Sequence, residues 1–281
     1  MPELPEIEIV RRDLEKEVVG RRIKDVEVRT GRNAMKIIKR HGRRKEFQDL
    51  LTGAKVESID RHGKWILLEL DNDRVAVIDL GESGILVKTS ASDVIVPHTH
   101  IVIGFTIGGQ LRIVDPKLSG EIFVTTPEDL KGMEEYQGFL IDPLETPLAW
   151  QRFSAMLEDR KEAMKRLLAD QNFVVGLGDL YSDEILFASG LRYDRPSDEL
   201  SSQDVRRLYR SLTETLQDAV KARGTSLKDA QFTDLGGVSG QYQSELKVFK
   251  REGELCRRCR SSIIKERFDG KDTYFCPQCQ S

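Results

Sequence analysis

The chain has 281 residues, 39% of them hydrophobic and 32% charged, with a formal net charge of −3. That composition excludes a disordered chain, and no apolar run reaches the length of a bilayer span, which excludes a membrane protein. The slightly acidic total gives no hint of a polyanionic partner, so nucleic-acid binding would need local basic patches.

In chain order, the first stretch is "MPELPE". Pro5 suits the first turn of a helix, and Glu3 and Glu6 favour its positive end, so taken alone the stretch reads as a helix start. No cationic leader with an apolar core precedes these charges, and export is not expected. Ile7, Val10, Leu14 and Val18 recur at helical spacing, and Gly20 stops the pattern. "GRNAMKIIKRHGRRK", Gly31 to Lys45, is a basic run without an acid, either a patch for phosphates or a solvated flexible loop. Runs rich in β-branched residues follow, from "IKDVEVRT" to "GEIFVTT", and predict an antiparallel sandwich or barrel over residues 20–125. Pro127, Pro143 and Pro147 punctuate a linker over 126–149. Helical pattern resumes from Trp150 to Gln171, then from Leu180 to Ser189 and from Ser202 to Ala222. The segment from Gly224 to Gly240 reads as a long loop, and such loops in compact domains are functional or disordered. The fold class is α+β and multidomain.

All four cysteines lie in the last 26 residues, as Cys256-x2-Cys259 and, after sixteen intervening residues, Cys276-x2-Cys279. This spacing matches a closed four-thiolate zinc site, which predicts one structural Zn2+ per chain. Two disulfides are the alternative, in an exported protein. Asp269-Gly270 between the pairs signals a hairpin that would display Lys265, Arg267 and Lys271, as phosphate readers or as part of a purely structural ribbon.

"VVGLGDLY" sits between helical patterns. Gly176 and Gly178 permit a tight turn, and the N–H groups opening the next helix would offer a seat for phosphate. Lys165 would add a cation there. The alternatives are a ligand-free helix–helix turn and a solvated lysine.

Together, "PELPE", "HGKWILLEL", "LLADQNFVVGLGDLYSDEILFASGL", "GTSLKD…GQYQSELKVFKREGELC" and "CRRC…YFCPQCQ" resemble the formamidopyrimidine-DNA glycosylase and endonuclease VIII family of base-excision repair enzymes, in its order and over nearly the whole chain. The resemblance implies an N-terminal helix and β-sandwich (1–125), a helix–two-turns–helix domain with a lesion-recognition loop (150–245) and a zinc-ribbon hairpin (246–281). It implies DNA bound with the target base turned out of the stack. Removal of Met1 would leave Pro2 as a secondary amine that attacks C1′, and an α-amine titrates roughly two units below lysine, leaving more of it neutral. Glu3 would be the acid–base partner, Glu6 its support, and Lys64 a contact to the phosphate beside the lesion. β- and then δ-elimination would follow.

The departures from the family pattern cluster on DNA contacts. Asp179 stands where the family has asparagine, and an ionised aspartate cannot donate to phosphate. Lys271 replaces an arginine and loses its planar fork. "LGESG" and "DPKLSG" replace the loops that plug the gap left by the flipped base, so Glu82, Lys117 and Ser119 occupy the plug positions. Unstacking a base costs a few kcal/mol, and without an apolar wedge other contacts must offset it. The expectation is a bifunctional DNA glycosylase and AP lyase acting on damaged duplex or single-stranded DNA, as a monomer, in the bacterial cytoplasm on the nucleoid. The alternatives are a family member that binds damaged DNA with little or no turnover, and a zinc-ribbon module fused to an unrelated sandwich.

Overall fold

The computed structural model describes residues 2–29, 34–139, 141–145, 150–158, 160–228 and 232–281. The chain divides into two compact units. One contains Pro2, Glu6–Gln137 and Arg223–Gly240; the other contains Glu3–Pro5, Gly138–Ala222 and Gln241–Ser281.

The first unit is built on α1 (Leu4–Val18) and two four-stranded antiparallel sheets. The stripe foreseen on α1 is buried: Ile7, Val10, Leu14 and Val18 are all 4% exposed or less. One sheet has the order β1 (Ile23–Val28), β6 (Thr99–Phe105), β7 (Gln110–Val114), β5 (Ile85–Thr89). The other has the order β2 (Val56–His62), β3 (Trp65–Leu70), β4 (Arg74–Asp79), β8 (Glu121–Thr125). The central strands β3 and β4 are buried on both faces, as their continuous apolar runs require.

The basic run is not a solvated loop. Residues 31–33 lie outside the described residues, but Ile37 and Ile38 are buried and Ile122 N–H donates to Ile37 O at 2.7 Å. Lys39 and Arg40 both reach Glu121, at 3.2 and 3.0 Å, and His41 Nε2 accepts from Val124 N–H at 3.0 Å. The run continues into α2 (Arg44–Leu51), whose Phe47 and Leu51 are buried one turn apart. Its charges therefore coat a segment docked on β8. The stretch expected as a linker opens with two short helices, α3 (Pro127–Gly132), capped by Thr126, and α4 (Glu134–Gln137).

In the second unit the single helix expected over 150–171 is two, α5 (Trp150–Glu158) and α6 (Met164–Ala169). Tertiary pairing wins over propensity here. Met164 N–H donates to Arg195 O and Lys165 N–H to Tyr193 O, each at 2.9 Å, and Ser197 N–H donates to Glu162 O at 2.8 Å. α7 (Asp179–Ser189) is buried almost all round and ends at Gly190, φ +76°. α8 (Ser202–Lys221) opens on a reciprocal capping box between Ser201 and Asp204. β9 (Ile264–Phe268) and β10 (Lys271–Phe275) form the expected hairpin. Its turn residues Asp269 and Gly270 have φ +49° and +78°, the left-handed pair that a two-residue turn of this kind needs. Among the described residues no helix is long and apolar enough to cross a membrane.

Candidate functional site

Glu3 is 6% exposed, and its carboxylate sits on the first turn of α7. Oε2 accepts from Gly178 N–H at 2.7 Å and Tyr181 N–H at 3.3 Å, and Oε1 accepts from Leu180 N–H at 3.1 Å. This corrects the sequence reading of the glycine turn. The N–H groups expected to seat a phosphate are occupied by the protein's own carboxylate. The helix start still acts as an anion site, since its unpaired donors and dipole favour negative charge. The glycines serve the same contact: a Cβ on Gly178 would lie 2.6 Å from Glu3 Oε1, and one on Gly176 would lie 2.9 Å from Leu4 Cβ. Leu4 N–H closes the junction on Gly176 O at 2.8 Å.

Pro2, half-buried, precedes Glu3 in the chain and belongs to the first unit. Glu6, on α1 and 3% exposed, accepts from Thr225 N–H at 2.8 Å, at the start of the 224–240 loop. Residues 229–231 of that loop lie outside the described residues. Lys64 is not a strand lysine: with Gly63 it makes the turn between β2 and β3. Its ammonium lies 3.2 Å from Asp79 Oδ2 and its side chain is 40% exposed.

The residues expected at phosphates behave differently from one another. Lys165 is 4% exposed; its Nζ donates to Asp183 Oδ1 at 2.7 Å and Asp179 O at 2.8 Å. It is neither a solvated lysine nor a free cation. Burial leaves an ammonium there only with such partners, and Asp183 supplies the opposite charge. Asp179 and Lys271, the two departures of this region, face each other at 3.2 Å, in a geometry that makes no hydrogen bond. Lys265 and Arg267 lie 3.6 and 3.7 Å from Asp272.

The two loops read as altered plugs are also joined. Lys117 Nζ donates to Glu82 Oε2 at 3.2 Å, with both side chains more than half exposed. Ser119 Oγ accepts from Glu82 N–H at 2.8 Å and Ser83 N–H at 3.2 Å, and Ser83 Oγ donates to Asp115. Ser119 thus fastens one loop to the other instead of projecting from it.

The four cysteines are free thiols whose sulfurs lie within 4.8 Å of one another. Sγ of Cys256 and Cys279 are 3.9 Å apart, and those of Cys259 and Cys276 are 3.4 Å apart. Four zinc–thiolate bonds of about 2.3 Å place sulfurs about 3.8 Å apart, so this donor set fits one tetrahedral zinc.

Sequence reasoning missed the supports of these groups. Asp79 holds Trp65 Nε1 at 3.2 Å and Gly81 N–H at 2.9 Å besides Lys64; an aspartate two residues before a glycine turn was the available signal. Glu8 is buried on α1, bound by Arg61 at 2.9 Å, Arg12 at 2.7 Å and Arg11, and Arg61 also donates to Gly63 O at 2.7 Å. Burial pushes the Glu8 carboxyl up, but the hydrogen bonds from Arg11, Arg61 and Arg12 outweigh it and hold it below its ordinary range. An acid one turn from Leu4 on the apolar face was the clue to a buried partner.

Residues 1–122 match the formamidopyrimidine-DNA glycosylase N-terminal domain, residues 140–231 its H2TH domain, and residues 253–281 a zinc finger found in FPG and IleRS. The formamidopyrimidine-DNA glycosylase of Heliobacterium modesticaldum is 36% identical over 283 residues, covering all of both chains. That of Pelotomaculum thermopropionicum is 33% identical over 280 residues, covering all of this chain and 99% of the relative. Among solved structures, the Fpg protein of Thermus thermophilus superposes with a TM-score of 0.87 at 30% identity, over 99% of this chain and 98% of that one. A complex of Lactococcus lactis Fpg with DNA containing an abasic site gives 0.89 at 28% identity, over 99% of each chain.

Proposed function

The chain belongs to the formamidopyrimidine-DNA glycosylase family, and from that premise we propose how its residues divide the chemistry. It is a DNA glycosylase of base-excision repair whose partner is DNA, and AP lyase activity is typical of the family. Its relatives are named for formamidopyrimidine, and oxidised or ring-opened bases are the substrates we assign to this chain. The relatives are bacterial, and we infer that its DNA is that of the nucleoid, reached in the cytoplasm.

Pro2, freed of Met1, attacks C1′ of the damaged nucleotide with its secondary amine. The bond from C1′ to the base breaks, and the base leaves with a proton. Glu3 takes up the proton that the Pro2 nitrogen loses on attack and hands it to the ring oxygen as the C1′–O4′ bond opens, which leaves an iminium on C1′, while solvent supplies the proton of the departing base. The iminium acidifies the C2′ proton; its removal expels the 3′ phosphate, and a second elimination expels the 5′ phosphate. Glu6 supports this end of α1 through Thr225. Lys64 exchanges Asp79 for the phosphate beside the lesion. Lys271 and Lys117 make DNA contacts after parting from Asp179 and Glu82. Cys256, Cys259, Cys276 and Cys279 hold the zinc, which supplies structure and no chemistry.

One observation carries this reading. The residue after Pro2 is an acid fixed by three main-chain donors, a preorganised position for moving protons. The rival, a protein that holds damaged DNA without turnover, rests on Asp179, an acid where the family has a donor to phosphate, and on Glu82, an acid where the family has an apolar wedge. Lys271 at 3.2 Å offsets the charge of Asp179; Lys117 at 3.2 Å offsets that of Glu82 but supplies no wedge. Borohydride trapping on DNA with an abasic site tests the proposal. The wild type, shown by mass spectrometry to begin at Pro2, forms a covalent adduct, and Pro2→Gly forms none. DNA binding without any adduct refutes it.

A further inference from the structure

Arg223 stands at the entrance to the 224–240 loop with φ +61°, a left-handed conformation that glycine adopts freely and L side chains rarely do. Its side chain spans two acids from separate segments. Nη1 and Nη2 donate to Asp13 Oδ1 and Oδ2 at 2.9 and 2.5 Å, and Nη2 also donates to Asp234 Oδ2 at 2.6 Å. Asp13 lies on α1 seven residues after Glu6, two turns along the same face. Asp234 belongs to the returning arm of the loop, where Oδ1 accepts from Gly236 N–H at 3.0 Å and Val238 N–H at 2.9 Å. The two acids are mostly buried, at 14% and 12% side-chain exposure, so the pairs are better shielded from solvent than surface ones. Other contacts brace the same loop. Ser226 Oγ accepts from Gly240 N–H at 2.8 Å, and Lys88 N–H on β5 donates to Leu235 O at 2.8 Å.

We propose that Arg223 is a positioning residue for base excision. Through Asp13 and Asp234 it ties both arms of the loop to the helix that carries Glu6, and so presets those arms for the everted base. The proposal rests on the reading of 224–240 as the loop that grips that base. It explains why a fork is used: one planar guanidinium reaches both carboxylates, which an ammonium on a flexible stem does less well. Arms held in place in advance leave less ordering to be done when the base arrives.

An abasic site has no base to grip, and this separates a positioning role from a scaffolding one. The test uses the full-length protein on two duplexes, one with a formamidopyrimidine lesion and one with a preformed abasic site. Arg223→Gly removes the fork while relaxing the backbone, and its melting temperature checks that the fold is retained. Excision under single turnover is expected to fall about tenfold or more. Nicking and borohydride adduct at the abasic site stay within about twofold of wild type. Arg223→Lys restores part of the excision, and Asp13→Asn in the Arg223→Gly background adds little further loss. Unchanged excision, or an equal fall on both duplexes, overturns the proposal. A wild type that forms no adduct with abasic DNA takes down the catalytic reading first and this one with it.

Discussion

The middle of α7 and the loop at Gly81–Gly84 both carry acids, in opposite circumstances. Glu184 is 2% exposed and accepts three main-chain N–H groups, from Lys247 at 2.8 Å and from Val248 and Phe249 at 2.9 Å. Its neighbour Asp183 takes Tyr274 N–H at 2.9 Å, Thr273 Oγ1 at 2.6 Å and the Lys165 ammonium. Glu82 is 62% exposed and has Lys117 for a counter-ion. A buried carboxylate bonded to backbone has no alternative partner, so it shapes the chain around it. An exposed pair exchanges partners at little cost, so it governs what can approach. The first arrangement recurs at Glu3 and Glu6, and Asp179, half-buried with Lys271 at 3.2 Å, stands between the two.

The sharpest way to break this comparison is Glu184→Ala. It strands three donors and should cost on the order of 4 kcal/mol in urea unfolding. A loss under about 1 kcal/mol would mean that the 247–249 turn has other support. Next comes Glu8→Gln, expected to cost roughly 2 kcal/mol near neutral pH by removing the buried charge that Arg61, Arg12 and Arg11 share. Because the folded carboxyl titrates below its ordinary value of 4.5, its contribution is present above that value and disappears as pH falls through the folded one. The variant's stability should therefore flatten on the acid side; an unchanged acid limb in pH-dependent denaturation rejects the assignment. The smallest effect is Asp179→Asn, which frees Lys271 and adds a donor. DNA affinity should rise several-fold, on the order of 1 kcal/mol or less, with a steeper salt dependence. Titration of a fluorescent duplex at two salt concentrations reads both.

Much of this was legible in the sequence where a local rule decides the outcome. The α1 stripe, the Asp269-Gly270 turn and the paired cysteines each follow from spacing alone. The break between α5 and α6 was not, because the N–H groups of Met164 and Lys165 are taken by carbonyls some thirty residues away. Lys165 looked like a surface lysine because its partner Asp183 lies on another helix. α2 was hidden by the basic residues around Phe47 and Leu51. The N–H groups opening α7 were read as a seat for phosphate, but they hold a carboxylate from the far end of the chain. The pairing of Asp179 with Lys271, and of Glu82 with Lys117, was invisible while each departure was weighed singly.

Gly178 has a consequence for how the protein can be altered. The space a methyl group would need is held by an oxygen of Glu3, 2.6 Å away. Alanine, the mildest replacement available, would evict that oxygen without changing a single charge. On the role proposed for Glu3, such a protein is expected to bind damaged DNA yet excise slowly, and a stalled complex is what trapping an intact lesion for crystallography requires.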